Sequence, residues 1–228
     1  MTKTVALKQK VLSENDRIAA SNRERLAEYD IPSLNLVSSP GSGKTSLLER
    51  TLKELSKELS IAIVAGDVQT DNDAQRLIKS GGRDIAPIVT GGACHLDARM
   101  IARELDRLDL SKTDLFIIEN VGNLVCPSSY DLGENLKVVL ISTTEGDDKP
   151  LKYPAMFRRS SVMVVNKLDL IEYSNFDLGR VRENALRING KLHMIELSCR
   201  TEQGLDEWFD WLRRFAGSKC SGQLSGKL

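Results

Sequence analysis

Eight consecutive residues, Ser38-Ser39-Pro40-Gly41-Ser42-Gly43-Lys44-Thr45, place glycines, hydroxyls and one lysine between an apolar run and a helix-favouring stretch. That combination suits a phosphate-binding loop. Gly41 and Gly43 let the backbone curl until successive N–H groups converge on phosphate oxygens, and the following helix adds its positive end. Lys44 offers a point charge for the β- and γ-phosphates, and Thr45 a hydroxyl for Mg2+. Gly41, Ser42, Gly43, Lys44, Thr45 and Ser46 are the expected phosphate contacts. Ser38 stands where the strict pattern has glycine, which alters the loop entrance and leaves the contacting residues in place.

A second group, Asn166-Lys167-Leu168-Asp169, follows the apolar run SVMVV. A carboxylate at Asp169 accepts from guanine N1–H and N2–H2, a donor pair that adenine lacks, so the expected nucleotide is GTP. Lys167 is expected along the base plane, with Asn166 tying the loop down. Ser198 and Cys199, at the end of the last apolar run, are expected beneath the base, Cys199 as a small buried residue. The γ-phosphate sensor should follow an internal strand. The stretch LFIIENVG fits, with Glu119 as the acidic residue and Gly122 offering a backbone N–H. Asp67 is expected either in the Mg2+ shell with Thr45 and Glu119 or positioning the attacking water. Lys44, Thr45, Asp67 and Glu119 thus form the expected catalytic set. Asp71 and Asp73 follow in a polar stretch, DVQTDND, with the look of a mobile switch. No glutamine stands ready to orient water, so intrinsic hydrolysis should be slow.

The chain has only four cysteines and two histidines. Cys94 and His95 are adjacent in GGACHLD, before a helical stretch whose start would favour a thiolate. Cys126 falls in GNLVCPSS, just beyond Glu119. Thiolate and imidazole suit Ni2+ or Zn2+. Three ligands do not close a structural site, and neighbours within one helix diverge by about 100°. A loop-to-helix junction relaxes the second difficulty. A two-fold dimer relieves the first, since two Cys94 and two Cys126 make a four-sulfur centre with His95 in reserve. Cys126 lies on the segment that should move with the γ-phosphate, which would link nucleotide state to metal affinity. His193 and Cys220 lack such a context.

The elements that must position these groups follow from hydrophobic pattern. Short apolar runs at 34–38, 61–65, 85–89, 115–118, 138–141, 162–165 and 194–197 are mostly continuous, as in strands buried on both faces of a parallel sheet. Helix-like stretches at 45–59, 96–108, 178–188 and 205–215 lie between or after them. The alternation predicts an α/β domain, mainly parallel sheet flanked by helices. Residues 1–32 read as an N-terminal helical extension of one or two amphipathic helices, with a capping box beginning at Ser13 and an end at Ile31-Pro32. Residues 33–216 form the nucleotide-binding domain, and 217–228 a Gly/Ser-rich flexible tail.

The motifs SSPGSGKT, AGDVQTDNDA, GGACHLDA, FIIENVGNLVCPSSYDLGE, STTEGDDKPLKYP and NKLDL, in this order, closely resemble the HypB family of P-loop GTPases. The similarity spans roughly residues 34 to 211. It implies GTP hydrolysis with Mg2+ and nickel insertion into [NiFe]-hydrogenase large-subunit precursors. It also implies a HypA-type partner, and a homodimer that depends on nucleotide and metal, with Cys94, His95 and Cys126 at its interface. Lys149 and Lys152 are implied near nucleotide or partner. Urease accessory GTPases of the UreG kind typically carry Cys-Pro-His where this chain has Cys126-Pro127-Ser128, and so fit less well. A nucleotide-gated dimerisation switch holding a structural zinc is the reading from a different class. Residues 1–33 contain no Cys and no His, so the N-terminal nickel motif of some relatives is not expected.

At 228 residues, 41% of them hydrophobic, the chain suffices for one well-packed domain. Lys+Arg and Asp+Glu both total 32, which gives no electrostatic case for nucleic acid or an anionic membrane as partner. The N-terminus lacks a signal-peptide pattern, no apolar run reaches spanning length, and the cysteines lack disulfide spacing. A cytoplasmic protein is the resulting expectation.

Overall fold

The computed structural model describes residues 2–218, with side chains from Lys10 onward. The chain runs α1 (Thr2–Glu28), β1 (Ser33–Ser38), α2 (Lys44–Leu55), β2 (Ile61–Asp67), α3 (Asn72–Lys79), β3 (Asp84–Val89), α4 (Ala98–Leu105) and β4 (Leu115–Glu119). It continues through β5 (Leu136–Ser142), α5 (Lys149–Lys152), α6 (Pro154–Arg159), β6 (Val162–Asn166), α7 (Leu178–Ile188), β7 (His193–Glu196) and α8 (Leu205–Gly217). The seven strands form one sheet in the order β3-β2-β4-β1-β5-β6-β7. Every pairing is parallel.

Side-chain alternation along the strands explains why the apolar runs are unbroken. Ile61, Ile63 and Ala65 of β2 pack with α2, α3 and α8, while Ala62 and Val64 pack with α1 and α4. Beyond β1, Val139, Ile141, Met163 and Val165 meet α6 and α7 on the second face. Both faces are covered, so both phases of the period-two pattern must be apolar. Strand order reverses around β1, and the loops beyond the carboxyl ends of β1, β4, β5 and β6 therefore face one crevice, where such sheets bind ligands. Helix α8 anchors one face: Trp208 and Trp211 are buried, and Trp208 Nε1 donates 2.9 Å to Thr51 Oγ1 of α2.

All seven expected strands form. The helices differ at their ends: α2 stops at Leu55 rather than 59, and α4 begins only at Ala98, after the Asp97 cap whose side chain accepts from Met100 N, and ends at Leu105. Ser13 is not a helix start. It sits inside the uninterrupted α1, and its hydroxyl donates 2.9 Å back to Lys10 O, because tertiary anchoring carries the helix through a local capping signal. The segment read as a polar switch is partly helical, with α3 beginning at Asn72. Helices α5 and α6 had no recognised signal. They form around Pro150 and Pro154, each suited to a first helical turn. The tail from 219 onward, including Cys220, lies outside the described residues.

Candidate functional site

The loop between β1 and α2 has the curvature that a phosphate cradle needs. Gly41 and Gly43 adopt left-handed φ values of 75° and 103°. At Gly43 a Cβ would stand 2.4 Å from Asn166 Nδ2, so this position requires glycine for both conformation and space. Asn166, at the end of β6, is buried and joins three backbones. Its Nδ2 donates 2.9 Å to Ser42 O, and its Oδ1 accepts from Lys167 N at 2.7 Å and from Cys199 N at 3.2 Å. Phosphate loop, Asn-Lys-Leu-Asp turn and Ser198-Cys199 loop are thereby held as one unit.

Within that unit, Lys167 takes a left-handed φ of 64° and its Nζ donates 2.8 Å to Gly41 O. Asp169 Oδ1 accepts from Ser198 Oγ at 2.5 Å, which orients the carboxylate at the rim of the cleft. Gly43, Ser46, Asn166, Lys167, Asp169 and Cys199 line an open cleft of about 370 Å³. Cys199 is buried, and burial pushes its thiol up to about 12, which makes it a neutral packing residue rather than a ligand.

Lys44 and Glu119 define the other end of the cleft. Lys44 Nζ donates 3.0 Å to Ser38 Oγ, and burial lowers its pKa. Thr45 Oγ1 donates 2.6 Å to Glu119 Oε1. Glu119 is 2% exposed; burial raises its carboxyl to about 7, against the opposing pull of Lys44 and Thr45. Its Oε2 has no hydrogen-bond partner among the described residues. An orphaned, buried carboxylate oxygen beside a threonine hydroxyl is costly unless a cation or donor meets it, so the pair fits Mg2+. Gly122 lies against the phosphate loop, where a Cβ would fall 3.0 Å from Pro40 Cα.

Asp67 is brought to the same edge at the end of β2, but one of its oxygens already works locally. Asp67 Oδ1 accepts from Gln69 N at 2.9 Å and Thr70 N at 3.1 Å, and the Gln69 bond leads the causes that hold its pKa low. Two neighbours escaped the sequence reading. Arg76 of α3 reaches Ser46 Oγ at 3.2 Å and Glu49 Oε2 at 2.8 Å, and Asp73, on the same helix, lies 3.2 Å from Arg76. Glu145 accepts from Ser42 Oγ, while Lys149 Nζ donates 2.7 Å to Ser39 Oγ and pairs with Glu145 at 2.7 Å. Lys149 therefore meets the phosphate loop of its own chain. Lys152 pairs with Asp148 on the surface.

The three metal-ligand candidates converge. Cys94 Sγ lies 3.0 Å from Cys126 Sγ and 3.8 Å from His95 Nδ1, and all three ligand atoms fall within 4.8 Å of one another. Cys94 belongs to an irregular loop, not to the first turn of α4, so the helix end does not account for its chemistry. The loop also removes the angular objection to adjacent ligands. Burial lowers the pKa of His95, with Asp97 opposing, which favours the neutral imidazole that ligates metal. Tyr130 packs on that ring at a centroid distance of 3.9 Å. Cys94 is exposed, which leaves the cluster open to exchange with solvent. His193 stands apart on β7, 3.9 Å from Glu207.

Two asparagines connect this cluster to the nucleotide cleft. Asn120, directly after Glu119, accepts from Leu96 N at 3.3 Å, and Asn123 Nδ2 donates 3.1 Å to Cys94 O. Neither had a sequence signal beyond its place in the motif. Among the described residues no helix is long and apolar enough to cross a membrane.

The family described as CobW/HypB/UreG, nucleotide-binding domain, matches residues 32–196. Hydrogenase maturation factor HypB of Azotobacter vinelandii is 45% identical, over 98% of this chain and 73% of its own length. Its counterpart in Escherichia coli K12 is 49% identical, over 89% of this chain and 69% of its own. The crystal structure of HypB from Helicobacter pylori in complex with nickel superposes with a TM-score of 0.85 at 40% identity, covering 92% of this chain and all (100%) of that one. Fold, phosphate loop and the extent of these similarities lead to one conclusion: the chain belongs to the HypB family of hydrogenase maturation factors, with a P-loop nucleotide-binding domain.

Proposed function

We propose that the chain is a GTP-hydrolysing metallochaperone that carries nickel as cargo, with zinc as a competing occupant, and assists nickel insertion into a [NiFe]-hydrogenase precursor. The observation that carries this reading is the gathering of Cys94, His95 and Cys126 into one cluster beside the nucleotide cleft. The Helicobacter pylori relative solved with nickel supports the choice of cargo. Residues 33–216 act as the GTPase domain, with 1–32 as its N-terminal helical extension.

In this reading Gly41, Ser42, Gly43, Lys44, Thr45 and Ser46 hold the phosphates, and Asp169 reads guanine above Ser198 and Cys199, with Asn166 and Lys167 fixing the turn. Thr45, Glu119 and Asp67 would hold Mg2+, which supplies charge neutralisation at the β- and γ-phosphates when bound. Gly122 senses the γ-phosphate, and the bond from Asn120 to Leu96 N passes the shift at Glu119 toward His95 and Cys94. Nickel would be held by Cys94 and Cys126 as thiolates, whose two protons pass to solvent, and by the unprotonated nitrogen of the neutral His95 imidazole. In a two-fold dimer the Cys94 and Cys126 of both chains would complete a four-sulfur centre, with His95 as the alternative ligand, which makes the dimer dependent on metal as well as nucleotide. A HypA-type protein and the hydrogenase large-subunit precursor are the partners, in the cytoplasm.

A structural zinc is less well supported, because such sites are closed by four ligands and here Cys94 is exposed. A urease-type acceptor has one point in its favour: a 42%-identical Helicobacter pylori relative is named hydrogenase/urease maturation factor. The test is to measure Ni2+ and Zn2+ stoichiometry with oligomeric mass, in GDP and in a non-hydrolysable GTP analogue. Nucleotide-dependent metal binding that Cys126→Ala diminishes is the expected result. Full metal binding in Cys126→Ala would overturn the site.

A further inference from the structure

The ligand cluster is assembled from two loops that are remote in sequence. Helix α1 touches both. Asn15 Oδ1 accepts from Ala98 N at 2.9 Å, three residues beyond His95, while its Nδ2 donates 2.8 Å to Asp131 O, five residues beyond Cys126. About two turns further along, Asn22 Nδ2 donates to Ala98 O at 2.8 Å and to Leu132 O at 3.0 Å. Both asparagines are almost fully buried, at 6% and 4% exposure. Arg23 adds an ion pair to Asp131 at 2.7 Å. At Gly133 a Cβ would stand 2.6 Å from Asn22 Cβ, so the second loop is pressed directly onto the helix.

Resting on the metal-site reading above, we propose that α1 is a clamp across the two ligand loops, with Asn15 and Asn22 as positioning residues of the metal cluster. Each asparagine satisfies one backbone group of Ala98, the first residue of α4 directly after the Cys94-His95 loop, and one from Asp131 or Leu132 in the loop that follows Cys126. The two amides thus add a second set of ties between these segments, beyond the direct bonds from Leu96 N to Asn120 Oδ1 and from Asn123 Nδ2 to Cys94 O. Tyr130, next to Asp131, is brought against the His95 ring by the same contacts. Helix α1 also packs an apolar face, with Leu26 in the core, but the buried amides are a more specific device, because an unpaired buried amide or carbonyl is penalised. A cleft of about 480 Å³ lined by Glu14, Asn15, Ile18, His95 and Tyr130 opens at this junction. Any molecule that displaced α1 would therefore loosen the cluster.

The experiment is titration of the full chain with aqueous Ni2+ against a chromophoric chelator, for the native protein, Asn15→Ala, Asn22→Ala, the double variant and Arg17→Ala. Arg17 lies on the exposed side of the same helix and serves as control. Partners that orient metal ligands typically change affinity by about 10–100-fold, and the double variant is expected to weaken Ni2+ binding within that range. Its thiolate-to-nickel charge-transfer bands should shift, while GDP affinity and the Arg17→Ala titration stay native. Asn15→Asp keeps the acceptor for Ala98 N but sets a carboxylate oxygen against Asp131 O, so it too should bind Ni2+ more weakly than the native protein. Native Ni2+ affinity and spectrum in the double variant would overturn the clamp. If the double variant fails to bind GDP, the single variants decide, with native nickel binding in both again overturning it. Failure of the underlying site looks different: Cys126→Ala would then bind Ni2+ as the native protein does.

Discussion

Replacing Asn166 by alanine removes one amide and leaves three backbone groups without a partner: Ser42 C=O, Lys167 N–H and Cys199 N–H. Asn166 is 2% exposed, so water cannot readily substitute. A buried polar group left unpaired costs about 1–3 kcal/mol, and partial relaxation at the loop surface lowers the sum, so about 3 kcal/mol of stability should be lost. The same bonds hold the phosphate loop against the base-reading turn, so GDP affinity should fall about 10–100-fold, or roughly 1.4–2.7 kcal/mol. Chemical denaturation followed by tryptophan fluorescence measures the first quantity, since Trp208 and Trp211 are buried beside α2. Titration with a fluorescent GDP analogue measures the second. Asn166→Asp separates the contacts, because it keeps the acceptor for Lys167 N and Cys199 N while setting a carboxylate oxygen against Ser42 O in place of the donor. A variant with native denaturation midpoint and native GDP affinity would refute the view that this side chain binds the two loops together.

Three further outcomes are expected. Lys44→Ala removes a charge from the phosphate cleft and should lower GTP hydrolysis by about 10²–10³-fold or more in a phosphate-release assay, with the fold retained by circular dichroism. Asp169→Asn exchanges an acceptor for a donor facing the base, so competition binding should show a loss of GTP preference and a gain for xanthosine triphosphate, whose ring carries a carbonyl where guanine has its amino group. Trp208→Ala empties the contact between α8 and α2 and leaves Thr51 without its indole donor, at a cost of about 3–5 kcal/mol in urea unfolding.

The fold was legible because it is written in local pattern. Unbroken apolar runs identify strands covered on both faces, and the run at 61–67 shows the cause directly, with alternate residues entering separate cores. The phosphate loop was legible for a similar reason. Its function is carried by backbone curvature and one lysine, all within eight adjacent residues. Where the reading failed, a distant contact outweighed a local signal. Ser13 carries the chemistry of a helix cap, yet α1 passes through it, held by Asn15, Asn22 and Arg23 against the start of α4 and the loop at Asp131, more than seventy residues away.

The residue types at Lys44, Thr45, Glu119, Asp169, Cys94, His95 and Cys126 specify which chemistry is available, since a thiol or a carboxylate keeps its ligand character wherever the chain carries it. Whether those groups meet is another matter. Cys94 and Cys126 are 32 positions apart, on segments that follow β3 and β4, and a whole strand, β2, separates these in the sheet. Their approach to 3.0 Å depends on strand order, on the Asn120 and Asn123 contacts, and on a helix from the other end of the chain. Spacing along a sequence constrains distance only within one element. Across elements the free energy of the packed whole sets it, through burial of α1 and satisfaction of its amides.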